Sequence, residues 1–326
     1  MHETSPVPGE PEIGVAFVGA GYTAREHIRA FKDCPGVKLA GIFSRTRARA
    51  EGLASEYGIA TVSDSIAELY ERTQAKLVVL TVNELAMNEV SAAAFAFPWV
   101  AFLEKPAGYN LADARAIQAA ARARGRRVFV AMNRRSMSST LAVLDDLSKE
   151  TAPRFIKVQD QESQARALAG GAPQKVVDNW MFANAIHMID YFHQLGRGRV
   201  VSVEPVLAWD PARPGAVVTK LGFESGDVGL YEGIWHGPGP WAVSVTIPNK
   251  RWELRPLEQA ISQELGAPPA TMPLHAWDTT FKPGFRLQAE LAVAEARGHA
   301  RRPARSLATL DQSVETMELI ARIFQL

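Results

Sequence analysis

Val18-Gly19-Ala20-Gly21-Tyr22-Thr23-Ala24 is the stretch that decides the reading of this chain. A short apolar run over 13–18 leads into it, and a helix-like stretch over 22–31 leaves it. The glycines therefore sit on a strand–turn–helix unit. The spacing is G-x-G-x-x-A. Gly19 permits the tight turn. Gly21 lets backbone approach a pyrophosphate where a Cβ would collide, and Ala24 lets the helix pack close to the strand. The helix start, with Tyr22 and Thr23, offers free N–H groups and a partial positive charge to phosphates. Glycine patterns are common in plain turns; the flanking strand and helix are what make this one a dinucleotide fingerprint.

Outward from the turn, strand and helix patterns alternate. Further strands are expected over 37–43, 77–82, 100–103 and 127–131, and helices over 46–57, 65–72, 84–96 and 111–124. Continuous apolar strands separated by helices imply a parallel sheet covered on both faces. The pattern changes near Asn133. A helix over 138–149 precedes longer strand candidates at 153–161, 200–208, 217–223, 228–234, 241–247 and 252–257. Val243, Val245 and Ile247 alternate with Ala242, Ser244 and Thr246, the period of a half-buried antiparallel strand. Helices over 284–297 and 310–324 close the chain, and the Gly/Ala/Pro stretch 167–173 reads as a mobile loop. The expected architecture is α/β: a loose tail over 1–12, a doubly wound Rossmann domain over 13–132, and a substrate-binding and oligomerisation α+β domain over 133–326. That second domain carries a large open, mainly antiparallel sheet, and its last helices are candidates to pack back on the first domain.

Composition narrows the function. In 326 residues the formal net charge is +1, which gives no electrostatic case for a nucleic-acid partner. The single cysteine, Cys34, excludes a disulfide framework within the chain and fits a reducing, cytoplasmic compartment. The polar, proline-rich start has no signal-peptide pattern. No apolar run reaches the ~18 residues of a membrane span, so no membrane partner is expected. The histidines show no metal spacing, and no metal site is expected. At the end of the second strand, Phe43-Ser44-Arg45-Thr46-Arg47 carries no acid. A carboxylate there would bind the ribose 2′-hydroxyl of NAD, whereas Ser44 and Arg45 suit a 2′-phosphate, so NADP is preferred over NAD.

Leu103-Glu104-Lys105-Pro106-Ala107, taken with the glycine turn, resembles the glucose–fructose oxidoreductase / inositol dehydrogenase / rhizopine-catabolism (Gfo/Idh/MocA) family. Thr81-Val82-Asn83 is similar to its T-P-N turn, Asn133-Arg134-Arg135 to the segment opening its second domain, and His187-Met188-Ile189-Asp190 to its H-x-x-D helix. The resemblance implies that Thr81, Asn83 and Glu104 lie along the cofactor and that Lys105 sits beside the nicotinamide and the substrate carbon. The residues agree. A lysine at the carboxyl end of a parallel strand points into the crevice where such sheets bind ligands, and its ammonium can stabilise developing alkoxide charge. Glu104 either anchors Lys105 or touches the cofactor.

A helix is expected over 184–195, with Asn184 sharing the face of His187. His187 can take a hydroxyl proton near neutral pH. In the family an aspartate stands four residues before this histidine; here that position is Ala183. Trp180 could wall a sugar pocket or lie in the core. Asn133 and Arg134 are substrate-side candidates, with Arg134 and Arg135 equally suited to a sugar phosphate or to salt bridges.

The resulting expectation is a dehydrogenase or reductase moving hydride between NAD(P) and a secondary alcohol or ketone of a sugar, nucleotide sugar or cyclitol. Lys105 and His187 are its catalytic candidates. A homodimer or homotetramer is implied by resemblance. Two alternatives stay open: transient use of a tightly held cofactor for elimination or epimerisation, and non-catalytic dinucleotide binding, which Ala183 favours.

Overall fold

The computed structural model describes residues 11–299 and 306–326. The chain divides into two compact units. Among the described residues, the first comprises 11–108, 112–136, 276–299 and 306–311, and the second 109–111, 137–275 and 312–326. Most of the tail expected over 1–12, and His2 with it, lies outside the described residues.

The first unit opens with β1 (Ile13–Val18), α1 (Tyr22–Lys32), β2 (Val37–Phe43), α2 (Arg47–Tyr57), β3 (Val62–Ser63), α3 (Ile66–Thr73) and β4 (Leu77–Leu80). It continues with α4 (Met87–Ala94), β5 (Val100–Leu103), α5 (Leu111–Ala123) and β6 (Val128–Val130). Every residue of β4, β5 and β6 is buried, which explains why these strands read as continuous apolar runs rather than alternating ones. The strand order is 6-5-4-1-2-3, all parallel, with a short antiparallel strand added beside β6 late in the chain. This is the doubly wound order, and its direction reverses between β1 and β4. Ligands of such sheets bind outside the carboxyl ends of the strands at that reversal.

The second unit holds α6 (Ser138–Leu147), β7 (Phe155–Glu162), α7 (Gln164–Ala169), α8 (Gln174–Val177) and α9 (Ile186–Leu195). Strands β8 (Val200–Leu207), β9 (Ala216–Phe223), β10 (Val228–Trp235), β11 (Ala242–Ile247), β12 (Lys250–Leu254), β13 (Ile261–Glu264) and β14 (Ala270–Thr271) follow. The eight strands form one sheet in the order 14-13-12-11-7-10-9-8. All its pairings are antiparallel except that of β7 with β10. Val243, Val245 and Ile247 are buried as their alternation requires. Helices α10 (Trp277–Thr280) and α11 (Phe285–Arg297) and strand β15 (Ala308–Thr309) return to the first unit; α12 (Leu310–Phe324) ends the chain.

Three local expectations fail. The stretch 167–173 is not a loop throughout, because 164–169 is helical: Ser163 caps it by accepting from the Arg166 N–H at 3.2 Å, and the glycines begin only after it. The helix expected from Asn184 begins earlier as a wide π turn, Met181–Ala185, which runs straight into α9. The strand expected over 252–257 is shifted to 250–254, because Pro256 has no N–H to give a ladder.

Candidate functional site

The glycine turn stands at the carboxyl end of β1, facing the end of β4. Gly19 has φ +108°, and a Cβ there would lie 2.3 Å from the Thr81 carbonyl oxygen, so the fold itself demands glycine. Thr81 closes this junction by donating its hydroxyl to the Val18 carbonyl at 3.1 Å, and its N–H donates to the same oxygen at 2.8 Å. Gly21 is different. Its φ is −89° and a Cβ would meet no protein atom within 4 Å, so nothing in the fold calls for glycine there. The remaining reason for it is the close approach of a ligand to the first turn of α1, whose N-cap is Gly21 itself. The α1 residue Ala24 is wholly buried, and Tyr22 is exposed beneath the Lys282 ammonium at 5.5 Å. Beside the turn runs a groove of about 470 Å³ lined by Gly21, Tyr22, Arg25, Arg49 and Gly52. The turn, its free N–H groups and this basic lining fit a dinucleotide.

At the end of β2, the Ser44 hydroxyl accepts from the Thr46 N–H at 3.3 Å. Arg47 is held by Glu51 at 2.9 Å and by Asp64. Arg45 is exposed and, among the described residues, takes part in none of these ion pairs. At the end of β4, the exposed Asn83 accepts from the Ala86 N–H at 3.0 Å, which caps a short 3₁₀ turn over 84–86.

Glu104 and Lys105 follow β5, the neighbour of β4. The Glu104 carboxylate binds His27 Nε2 of α1 at 3.1 Å and accepts the Lys105 backbone N–H at 2.9 Å. His27 is wholly buried between Phe285 and Phe102, with ring centroids 4.6 and 5.6 Å away. Its Nδ1 has no partner among the described residues, and Nε2, facing a carboxylate that only accepts, is the donor. Burial alone would push Glu104 up; the His27 hydrogen bond and the charges of Lys105 and Lys282 outweigh it and hold the carboxyl below its usual range. Burial pulls the Lys105 ammonium down, and Glu104 and Glu84 offset only part of that. Lys105 is thus a readier proton donor than a surface lysine. His27, which the sequence offered only as a histidine without metal spacing, is a site residue that pattern reading missed.

Asn133 and Arg134 lie just beyond β6, in the same unit. Asn133 donates its amide to the Pro283 carbonyl at 3.1 Å, and Arg134 is buried. Residues 18–24, 81–83, 104–105 and 133–134 therefore gather around the carboxyl edge of one sheet.

In the second unit, the inward face of β7 reads Ile156, Val158, Asp160, Glu162, with apolar residues giving way to two carboxyls, all at most 1% exposed. The Glu162 carboxyl accepts the Trp180 indole N–H at 2.7 Å and the Asn184 amide at 2.8 and 3.0 Å. Asp160 accepts the Tyr231 hydroxyl at 2.8 Å. Burial first, then the charge of Asp160, pushes Glu162 up to about 9, against the Asn184 and Trp180 hydrogen bonds. Trp180 and Asn184 are half-buried, as is His187, one turn further along. Ala183 is buried. No pattern in the sequence marked Glu162, because an acid at the end of a strand has no motif. Among the described residues, no group of three or more histidines, cysteines or acids is placed to hold a metal ion, and no helix is long and apolar enough to cross a membrane. Cys34 is buried, and burial pushes its thiol up to about 12.

Residues 13–132 match the family model described as "Oxidoreductase family, NAD-binding Rossmann fold". No curated protein matches the chain. Among solved structures, the chain is similar to a dehydrogenase from Chromobacterium violaceum (TM-score 0.81, 17% identity, 97% of this chain and 95% of that one). It is similar to an aldose-aldose oxidoreductase from Caulobacter crescentus complexed with glycerol (TM-score 0.79, 17% identity, 96% and 97%). A UDP-N-acetylglucosamine 3-dehydrogenase from Acidithiobacillus ferrooxidans also shares its fold (TM-score 0.75, 14% identity, 97% and 98%). At these identities the likeness is one of fold. The motif at Gly19 and Gly21, the sheet order and the match over 13–132 converge: this part of the chain is similar to the NAD-binding Rossmann domain of the Gfo/Idh/MocA oxidoreductase family.

Proposed function

We propose that this oxidoreductase transfers a hydride between NADP(H) and a secondary alcohol or ketone on a sugar, nucleotide sugar or cyclitol. The observation that carries the reading is Lys105. It is a desolvated ammonium at the carboxyl edge of the sheet, next to the reversal point, with its backbone N–H fixed by an ionised Glu104. The bound nicotinamide supplies the hydride acceptor or donor. Lys105 stabilises negative charge on the substrate oxygen as the C–H bond breaks. Glu104 and His27 hold the Lys105 backbone, and His187 takes the hydroxyl proton. The aldose-aldose oxidoreductase and UDP-N-acetylglucosamine 3-dehydrogenase that share this fold support a polyhydroxylated substrate.

Preference for NADP rests on Ser44 and the exposed Arg45; Arg47 is committed to Glu51 and Asp64. Titration of the protein with NADPH and NADH tests it, and tenfold tighter binding of NADH sinks it. Turnover across an aldose, cyclitol and UDP-sugar panel tests the reaction. Buried Ala183 favours a second reading, non-catalytic dinucleotide binding; cofactor bound with no turnover of any member of the panel would select it. A homodimer or homotetramer is supported by Val201, Val206 and Leu207, which are 60%, 69% and 50% exposed on β8. Light scattering that shows a monomer would remove that part.

A further inference from the structure

Position 183 carries no carboxylate, yet the next residue is bonded to one. Asn184 Nδ2 meets both oxygens of Glu162, at 3.0 and 2.8 Å, and the Trp180 indole donates to Glu162 Oε2 at 2.7 Å. An amide whose nitrogen is held this way has its oxygen turned from the carboxyl, and among the described residues no group donates to that oxygen. The Asn184 side chain leaves a π turn, a widening of the helix often found at functional sites. Trp180 and Asn184 lie between the buried acid and the surface.

We infer that Glu162 is a positioning residue of the substrate site: it grips Asn184 and Trp180 so that the Asn184 amide oxygen is presented to a substrate hydroxyl. This rests on the polyol reading of the same site. It also brings to Asn184 a carboxyl that position 183 lacks. Glu162 does this as a neutral acid. Its proton lies towards Asp160, which is fixed from the other side by Tyr231, and its carbonyl oxygen takes the indole and amide donors. The titratable groups on the elements packed against β7 are Tyr231 on β10 and His187, Asp190, Tyr191 and His193 on α9; β11 and the π turn carry none. Lys157 and Glu232 pair with each other at 2.9 Å, at half-buried positions that alternate with the buried ones. A neutral acid is mimicked by an amide, so glutamine should replace Glu162 where alanine cannot.

The test is the indole ¹H–¹⁵N resonance of Trp180 in ¹⁵N-tryptophan-labelled full-length protein, assigned with Trp180→Phe. In the wild type it shifts with one inflexion near pH 9, and Glu162→Gln abolishes the inflexion. D-glucose, myo-inositol or UDP-glucose moves the resonance in the wild type. Glu162→Ala weakens that binding by about tenfold, as expected for loss of a hydrogen-bonded anchor, and Glu162→Gln restores most of it. NADPH affinity, read separately, reports that the first unit is intact, and unchanged indole resonances of the buried Trp209, Trp235 and Trp252 report that the second unit is folded in each variant. A resonance without an inflexion, one that persists in Glu162→Gln, an alanine variant that binds as the wild type does, or a wild type that ignores all three probes overturns the inference. Binding of a probe with the expected variant pattern but no NADPH formed from NADP sustains it and sinks the oxidoreductase reading of the substrate site.

Discussion

Glu104, half-buried, and Glu162, buried, both stand at the carboxyl end of a strand, one in each unit, and they reach opposite charge states. Burial raises both. Glu104 faces a ring N–H donor and two ammonium groups, and is ionised. Glu162 faces a second acid, Asp160, and stays protonated up to about pH 9. Neighbours, not depth, set the charge. The first carboxylate holds the backbone of Lys105, and the second accepts from Trp180 and Asn184.

The comparison can be broken first at Lys105. Lys105→Met should lower turnover by about 10²–10⁴-fold in steady-state assays, since the proposed mechanism has its charge meet the substrate oxygen. A fall of less than tenfold would detach Glu104 and Lys105 from the chemistry.

The next largest effect is on stability against pH. Glu104, with a folded value below the unfolded one, contributes stability that is present above the unfolded carboxylate range and lost as pH falls through its folded value. Glu162 runs the other way. The folded state keeps a proton up to about pH 9 that the unfolded chain releases near pH ~4.3. Its contribution is therefore complete below the unfolded value and declines as pH rises through that window, with a slope on the order of −1 kcal/mol per pH unit. Urea unfolding of wild type and Glu162→Gln from pH 5 to 9 measures this, and parallel curves would refute it.

His27→Phe keeps an aromatic ring between Phe102 and Phe285 but removes the donor to Glu104. It should cost about 1–3 kcal/mol at pH 7, by leaving a buried carboxylate short of a partner, and less at pH 4, where Glu104 is nearer protonation. An equal loss at both pH values would make His27 a packing residue only. Trp180→Phe should have the smallest effect, about 0.5–1.5 kcal/mol for one lost hydrogen bond, read by urea unfolding at pH 7; no change in stability would make the indole contact incidental.

These two carboxyls also mark how much was legible beforehand. Glu104-Lys105-Pro106 has a fixed spacing at a strand end, so its place was readable. Its partner His27 was not, because the bond spans 77 residues and a lone histidine inside an amphipathic helix looks like any core residue. Asn184 and Trp180 were singled out as substrate contacts. The structure gives each a buried partner, Glu162, which no local pattern announced. Alternation along 155–162 was weak, because the buried face turns from apolar to acidic halfway.

Local sequence determined what depends on neighbours along the chain. The glycine turn, the burial of β1, β4 and β5, and the position of Lys105 after β5 follow from short-range sterics and hydrophobic period. Tertiary structure alone decided the strand order with its reversal between β1 and β4, the need for glycine at position 19 against Thr81, and the charge of each buried acid. Those depend on groups brought close from distant parts of the chain, and electrostatic interaction falls with distance in space rather than along the sequence.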